Sequence, residues 1–414
     1  MADSKITKPS AGAPAVTSQT SSKETPPAQA VSAPPSTAWV GQPKPKDAFV
    51  SGASVRAPAA LSIANPVTNP LAHAEDYGTV TKALGVALDR FAQKYPGVDR
   101  RFAGRFLELA LGVGAQVPLM VYSHELGHAG EAKRQGMEAS ARLTGWASGY
   151  TSWKSTTTPT TKEELALFAA GSNQQQLNAE YMYSVWARNG TANTQEALGY
   201  LLSQMNTALY AARTVARGGA APESDDIAAY LDRLQQNGQN LTRGQLLTMS
   251  LATDLASAPT LAALFGELRF LATGDRQIEM PTLTIGDVKT TFPHLHTLLT
   301  TEGPVLGGTV VVNPDKKLPV EVSFDARVDG SAFAAGAKLY DVPLAKNVTL
   351  NPFIRGTMYK DGGAGVMVGT DVRVRVYKDA SLTGTVAFRH DDLLAQPQGQ
   401  KNGVTARVGF SVPF

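Results

Sequence analysis

Apolar positions recur every three or four residues from about Glu75 to Leu271 and every second residue beyond about Pro281, and that change of period divides the chain. In the first region Val80, Leu84, Ala87, Leu88 and Phe91 predict a helix over 75–95, closed by Pro96-Gly97. A second helical stretch begins near Asp99 and grades into the apolar run Phe106 to Tyr122, where Pro118 suits the first turn of the helix that follows. Residues 139–153, rich in aromatic and small side chains, read as irregular strands. Thr161 to Arg188 is predicted as a long helix opened by a capping box of Thr161 and Glu164. More helices follow over 197–215, 225–235 and 243–271.

Beyond Pro281 the alternation is that of half-buried strands. Leu318, Val320, Val322, Phe324, Ala326 and Val328 oppose Glu321, Ser323, Asp325 and Arg327, and the same pattern returns over 366–376 and 404–412. Turn signals at Asn313-Pro-Asp, Asp329-Gly, Asp361-Gly-Gly and Lys378-Asp-Ala-Ser separate seven strands after Glu302, with an eighth near Leu283 to Thr291. The fold class is therefore α+β. A helical domain over 73–280 is followed by an antiparallel β-domain over 281–414, either a barrel or a sandwich. In a barrel of outer-membrane type the apolar face meets lipid and the charged face lines a lumen. In a soluble barrel or sandwich the apolar face is inside. Phe414 resembles the terminal aromatic of outer-membrane barrels.

Composition adds an N-terminal arm. Eleven of the twenty-five prolines fall in residues 1–72 among Ala, Ser, Thr and Gln, a mixture that buries too little surface to offset chain entropy, so a disordered arm is predicted. It holds six Lys/Arg against three Asp/Glu, which accounts for the formal net charge of +3 and leaves the remainder neutral. A neutral body lacks the basic footprint that phosphate backbones require, so nucleic acid is not a predicted partner. Met1 to Ser10 lack the apolar core of a secretory signal. Cysteine is absent, which excludes disulfides and thiolate metal sites.

Candidate chemistry concentrates in Ser123-His-Glu-Leu-Gly-His128. Two histidines four residues apart on a helix project from one face, and their ring nitrogens can converge on one Zn²⁺. With six histidines in 414 residues, His-Glu-x-x-His is expected by chance roughly 0.003 times. Glu125 beside them can hold and deprotonate a metal-bound water as general base. The competing reading is a helix with two partly buried histidines and a solvated Glu.

His124-Glu-Leu-Gly-His128-Ala-Gly-Glu-Ala132, behind its apolar lead-in, resembles the active-site helix of zincin metallopeptidases, in a form similar to gluzincins and site-2-protease-like enzymes. The resemblance covers about twenty residues. It implies zinc-dependent peptide hydrolysis of a protein or peptide substrate, with His124 and His128 as ligands and Glu125 as base. The Asn-Glu-x-x-x-Asp segment of gluzincins does not follow the motif, nor does a third histidine of the metzincin kind.

A two-histidine site needs another ligand, usually a carboxylate on a later helix in the gluzincin arrangement. Glu180, 52 residues beyond His128, shares a polar face with Asn173 and Gln176 and is the candidate. Asn173 and Gln176 are candidates for supporting hydrogen bonds, while the alternative is a solvated face. Tyr150, Tyr181 and Tyr183 are candidate oxyanion donors or packing aromatics, and the 139–153 strands are a cleft edge or a packing hairpin. His294-Leu-His296 reads as a linker pair, and His73 and His390 as loop residues.

The functional expectation is a zinc metallopeptidase joined to a β-domain that anchors or presents it. Its predicted place is the cell envelope, at the outer membrane, against a cytoplasmic location or export without a Sec-type signal. The alternative is a non-catalytic envelope or interaction protein whose β-domain is the functional part.

Overall fold

The structure is a computed structural model that describes residues 60–62, 70–95, 97, 101–216, 225–377, 380–390 and 403–411. It is α+β, with eight helices and one large antiparallel sheet among the described residues. The arm predicted over 1–72 lies outside them except at two places. Ala60–Ser62 is strand β1, and helix α1 spans Pro70–Lys94, so its first residues fall within the segment assigned to the arm.

Helix α2, Phe102–Arg134, carries the histidine motif. Pro118 lies inside it rather than in its first turn, a correction with a physical reason. Proline has no N–H to bond the carbonyl four residues back. The Trp146 indole, from the loop of the hairpin β2 (Glu138–Gly145) and β3 (Ser148–Lys154), donates to that Gly114 carbonyl at 2.8 Å.

Helix α3, Thr161–Asn189, is the central element. Its capping box uses Thr160 and Glu163, one residue before the predicted pair. Its polar side chains are buried, and burial requires partners. Gln175 donates to the Met120 carbonyl at 2.9 Å and Asn178 to the Ser123 hydroxyl at 2.9 Å, which ties α3 to α2. The predicted helix over 197–215 is two, α4 (Thr194–Gln204) and α5 (Asn206–Ala216). Helix α6, Asp226–Gln236, follows, capped by Asp225, whose carboxylate accepts from the Ala228 amide. The stretch over 243–271 also divides, into α7 (Arg243–Ala256) and α8 (Ala258–Thr273), with Pro259 at the start of α8.

The main sheet runs β1-β16-β15-β14-β13-β11-β10-β9-β7-β6, with β8 also on β9 and β12 on β13. Its strands are β6 (Thr282–Ile285), β7 (Val288–Thr291), β8 (His294–Thr300), β9 (Gly303–Val312), β10 (Val320–Arg327) and β11 (Ala332–Leu339), then β12 (Val342–Ala345), β13 (Val348–Tyr359), β14 (Ala364–Tyr377), β15 (Ala380–His390) and β16 (Gly403–Ser411). A two-stranded sheet of β4 (Thr191–Asn193) and β5 (Gln277–Glu279) ties the link between α3 and α4 to the segment that follows α8. Among the described residues eight strands follow Glu302 where the alternation predicts seven, because the short β12 turns back on β13.

The sheet is not closed into a barrel, which corrects that expectation: among the described residues strand pairing stops at β1 and β6. Helices stand in the gap instead. β1 packs on α1, α1 on α3, and α3 on β8. Asn173 fixes the last junction by bonding both backbone groups of Leu299, at 2.7 and 2.8 Å. The charged strand face points into the space so enclosed and the apolar face points out. Asp325, Arg355 and Arg389 are buried, while Phe324, Ile354, Met358, Val386 and Val404 are exposed.

Candidate metal centre

Three side chains meet at the C-terminal half of α2. The Nε2 atoms of His124 and His128 lie 3.1 Å apart, and Asp226 Oδ2, from the first turn of α6, lies 3.2 Å from the first and 3.1 Å from the second. Among the described residues these three form a group able to hold a metal ion. With zinc–nitrogen bonds of about 2.0–2.1 Å, the edge of a coordination tetrahedron is about 3.3 Å, so the donor atoms already have the spacing that zinc requires. Two neutral imidazoles and one carboxylate also suit a catalytic ion, leaving a coordination position for water.

The surroundings aim these groups. His128 Nδ1–H donates to the Leu167 carbonyl at 2.7 Å, which turns Nε2 toward the cluster. Gly171 of α3 lies opposite, and a Cβ there would come within 2.4 Å of both Nε2 atoms. The Tyr210 ring of α5 stacks on His124 at 5.3 Å, and burial followed by the nearby Asp226 charge raises its phenol above the ordinary range. Burial opposes charge on His128, yet Asp226 overrides it and lifts the imidazole to about 9, while the histidines hold the Asp226 carboxyl below the usual carboxylate range despite its own burial. Both histidines are buried. The Asp226 side chain, 23% exposed, is the edge through which the cluster meets solvent.

Glu125 faces the same space and adds a charge felt by His128. Thr151 of β3 donates to its carboxylate at 2.6 Å, and Gly149 passes so close that a Cβ there would fall 2.5 Å from Glu125 Cγ. Successive strand residues alternate in direction, so Tyr150 between them points away; it is exposed, under the Arg142 guanidinium. It is not placed as an oxyanion donor.

Other sequence-predicted residues lie elsewhere. Glu180 is not brought to the cluster: it sits half-buried on the sheet side of α3, accepting from Thr309 of β9 at 3.2 Å, with desolvation raising its carboxyl above the usual range. Helical geometry explains the miss. Gly171, Gln175 and Asn178 form the α3 face toward α2, and Glu180 falls on the opposite one. Asn173 serves the junction with β8, and Gln176 bonds the Gln204 carbonyl of α4 at 2.9 Å. Tyr181 borders the enclosed space between α3 and the sheet, and Tyr183 bonds Thr291. His294 and His296 are not in a linker but in β8, where His294 meets Tyr200 at 3.0 Å and His296 pairs with Asp325 at 2.8 Å. His73 is a buried residue of α1 and His390 ends β15, so neither is in a loop.

Sequence reasoning missed Asp226. The only signal was its place in the first turn of a helix, where a carboxylate is common for helix-dipole reasons alone. Comparison of the chain with protein-family profiles, curated proteins and solved structures finds no match.

Proposed function

We propose that the chain is a zinc metallopeptidase of the zincin type that hydrolyses a protein or peptide substrate. The observation that carries this reading is the convergence of His124, His128 and Asp226 donor atoms within 3.2 Å of one another beside the Glu125 carboxylate. When bound there, zinc supplies Lewis acidity to the scissile carbonyl and lowers the pKa of an attacking water to about 7.

The remaining work belongs to side chains of this chain. Glu125 takes the proton of that water and carries it to the leaving amine; its Thr151 hydrogen bond holds the carboxylate in place through both transfers. Asp226 and the Leu167 carbonyl keep the histidines aimed. The β2–β3 hairpin, packed beside Glu125, is the cleft edge along which an extended substrate lies. Glu125→Gln tests the assignment. The variant is expected to retain zinc, since Glu125 is not a ligand, and to lose about 10²–10⁴-fold in peptide hydrolysis; equal activity removes the base role.

A second element is association with a membrane at the cell envelope. The supporting observation is the outward face of the sheet, where Phe324, Ile354, Met358, Val368, Val386 and Val404 are exposed. Phe102, Phe106, Leu107 and Leu111 of α2 are exposed as well. Apolar side chains gathered on one exposed face suit an interaction with lipid or with a partner protein. That surface also favours the alternative in which the β-region is the functional part. Fractionation separates these readings from a free soluble enzyme: recovery in the soluble fraction without detergent removes the membrane element and leaves the peptidase reading standing.

A further inference from the structure

The space between α3, α1 and the charged sheet face is a cavity of about 220 Å³, well beyond the 10–15 Å³ that one water occupies. It is separate from the metal centre and shares no residue with it. Leu71, Leu177, Phe353 and Met367 give part of its wall an apolar character. The remainder is charged, and most of those charges are matched. Lys338 pairs with Asp371 at 2.7 Å, Glu321 accepts from Ser184 and from Tyr340, and Arg355 pairs with Asp325.

Two guanidinium groups are not matched in this way. Arg188 of α3 is buried; its Nε donates to the Ser184 carbonyl at 3.0 Å and its Cζ stands 4.1 Å over the Tyr340 ring, but its terminal nitrogens have no acceptor among the described residues. Arg373 of β14 reaches Asp341 only at 3.8 Å, and its Nε is buried without a hydrogen-bond partner among the described residues. Burial, and after it the like charge of Arg188, push the Arg373 guanidinium below its usual range against the opposing pulls of Asp341, Tyr181 and Glu75, so the two cations are close enough to repel. Buried donors in this state call for an acceptor, and planar guanidinium forks fit carboxylate or phosphate oxygens.

We infer that the cavity between α3 and the sheet is a binding site for a small anionic amphiphile, whose carboxylate or phosphate head lies between Arg188 and Arg373 and whose short apolar body lies against Leu177, Phe353 and Met367. The occupancy brings the missing acceptor to both arginines and covers the apolar wall. It does not depend on zinc.

The test is calorimetric titration of the purified full chain with octanoate, octyl phosphate and octanol. One equivalent of octanoate or octyl phosphate is expected to bind, and whichever binds identifies the head group; octanol is expected to bind at least tenfold more weakly. Arg373→Gln and Arg188→Gln are each expected to weaken the anion by about tenfold to a hundredfold, as loss of charge-assisted hydrogen bonds does. Arg373→Lys is expected to fall between. Absence of binding by both anions at millimolar concentration overturns the inference, as does octanol binding equal to octanoate, or unchanged affinity in both glutamine variants. Where Arg373→Gln fails to fold by circular dichroism, Arg188→Gln and the octanoate-to-octanol ratio of the unaltered chain decide. Asp226→Asn is expected to leave anion binding unchanged, which separates this site from the metal centre.

Discussion

Replacing Asp226 by Asn keeps the shape of the side chain and removes its charge, and the structure predicts two opposing effects on zinc. The first is the loss of an anionic ligand. Tight structural sites with four ligands bind zinc by about 10–16 kcal/mol, so one ligand is worth about 2.5–4 kcal/mol, or about 10²–10³ in affinity. The second effect acts through His128. Asp226 is what raises that imidazole to about 9, and zinc must expel the proton it carries. At pH 7 this competition weakens zinc by about a hundredfold, one decade for each unit below about 9. Without Asp226, burial is the largest remaining influence on His128 and lowers it against the smaller upward pulls of Glu125 and the Leu167 carbonyl, so the variant escapes most of that competition. Zinc-buffered equilibrium dialysis at two pH values therefore resolves the terms. Above about pH 9 Asp226→Asn is expected to lose the full 10²–10³, and at pH 7 no more than about tenfold. Glu180→Gln is the control, with zinc affinity unchanged within about twofold, since Glu180 bonds Thr309 rather than the cluster. Equal zinc affinity of Asp226→Asn and the unaltered chain above pH 9, or zinc loss in Glu180→Gln, would refute the ligand assignment.

Gly171→Ala replaces glycine in a helix interior, a change that by propensity alone stabilises by about 1 kcal/mol. Its Cβ would stand 2.4 Å from both histidine nitrogens, so zinc retention is expected to collapse while the fold survives, as read by metal analysis beside circular dichroism. In zinc-free protein the raised His128 adds stability that is present in full below its unfolded value of 6.5 and is lost as pH rises through about 9; urea titrations across that window should show the decline, and His128→Gln should flatten it. Glu267 of α8 is raised to about 8 by burial and then by Glu108, and both its oxygens lack hydrogen-bond partners among the described residues. Its contribution is present below 4.5 and lost as pH rises through about 8, so Glu267→Gln should raise the melting temperature above pH 8 and leave it unchanged below 4.5.

Local periodicity determined much of this protein by itself. The change from a helical to a strand period near Pro281, the helix that carries the histidines and the consecutive strands after Glu302 are read from local side-chain patterning, which depends on near neighbours only. So is the juxtaposition of His124 and His128 with Glu125 beside them, because four residues along a helix is a distance set by the backbone. Tertiary structure decided the rest. Asp226 reaches the cluster from 98 residues beyond His128, and Glu180 misses it because the rotation of α3 against α2 is set by Gln175 and Asn178 finding partners there. Which strand face lies inside was undetermined for the same reason. Alternation is symmetric under exchange of the two faces, and only α1 and α3, standing in the gap of the open sheet, turn the charged face inward and leave the apolar one outside.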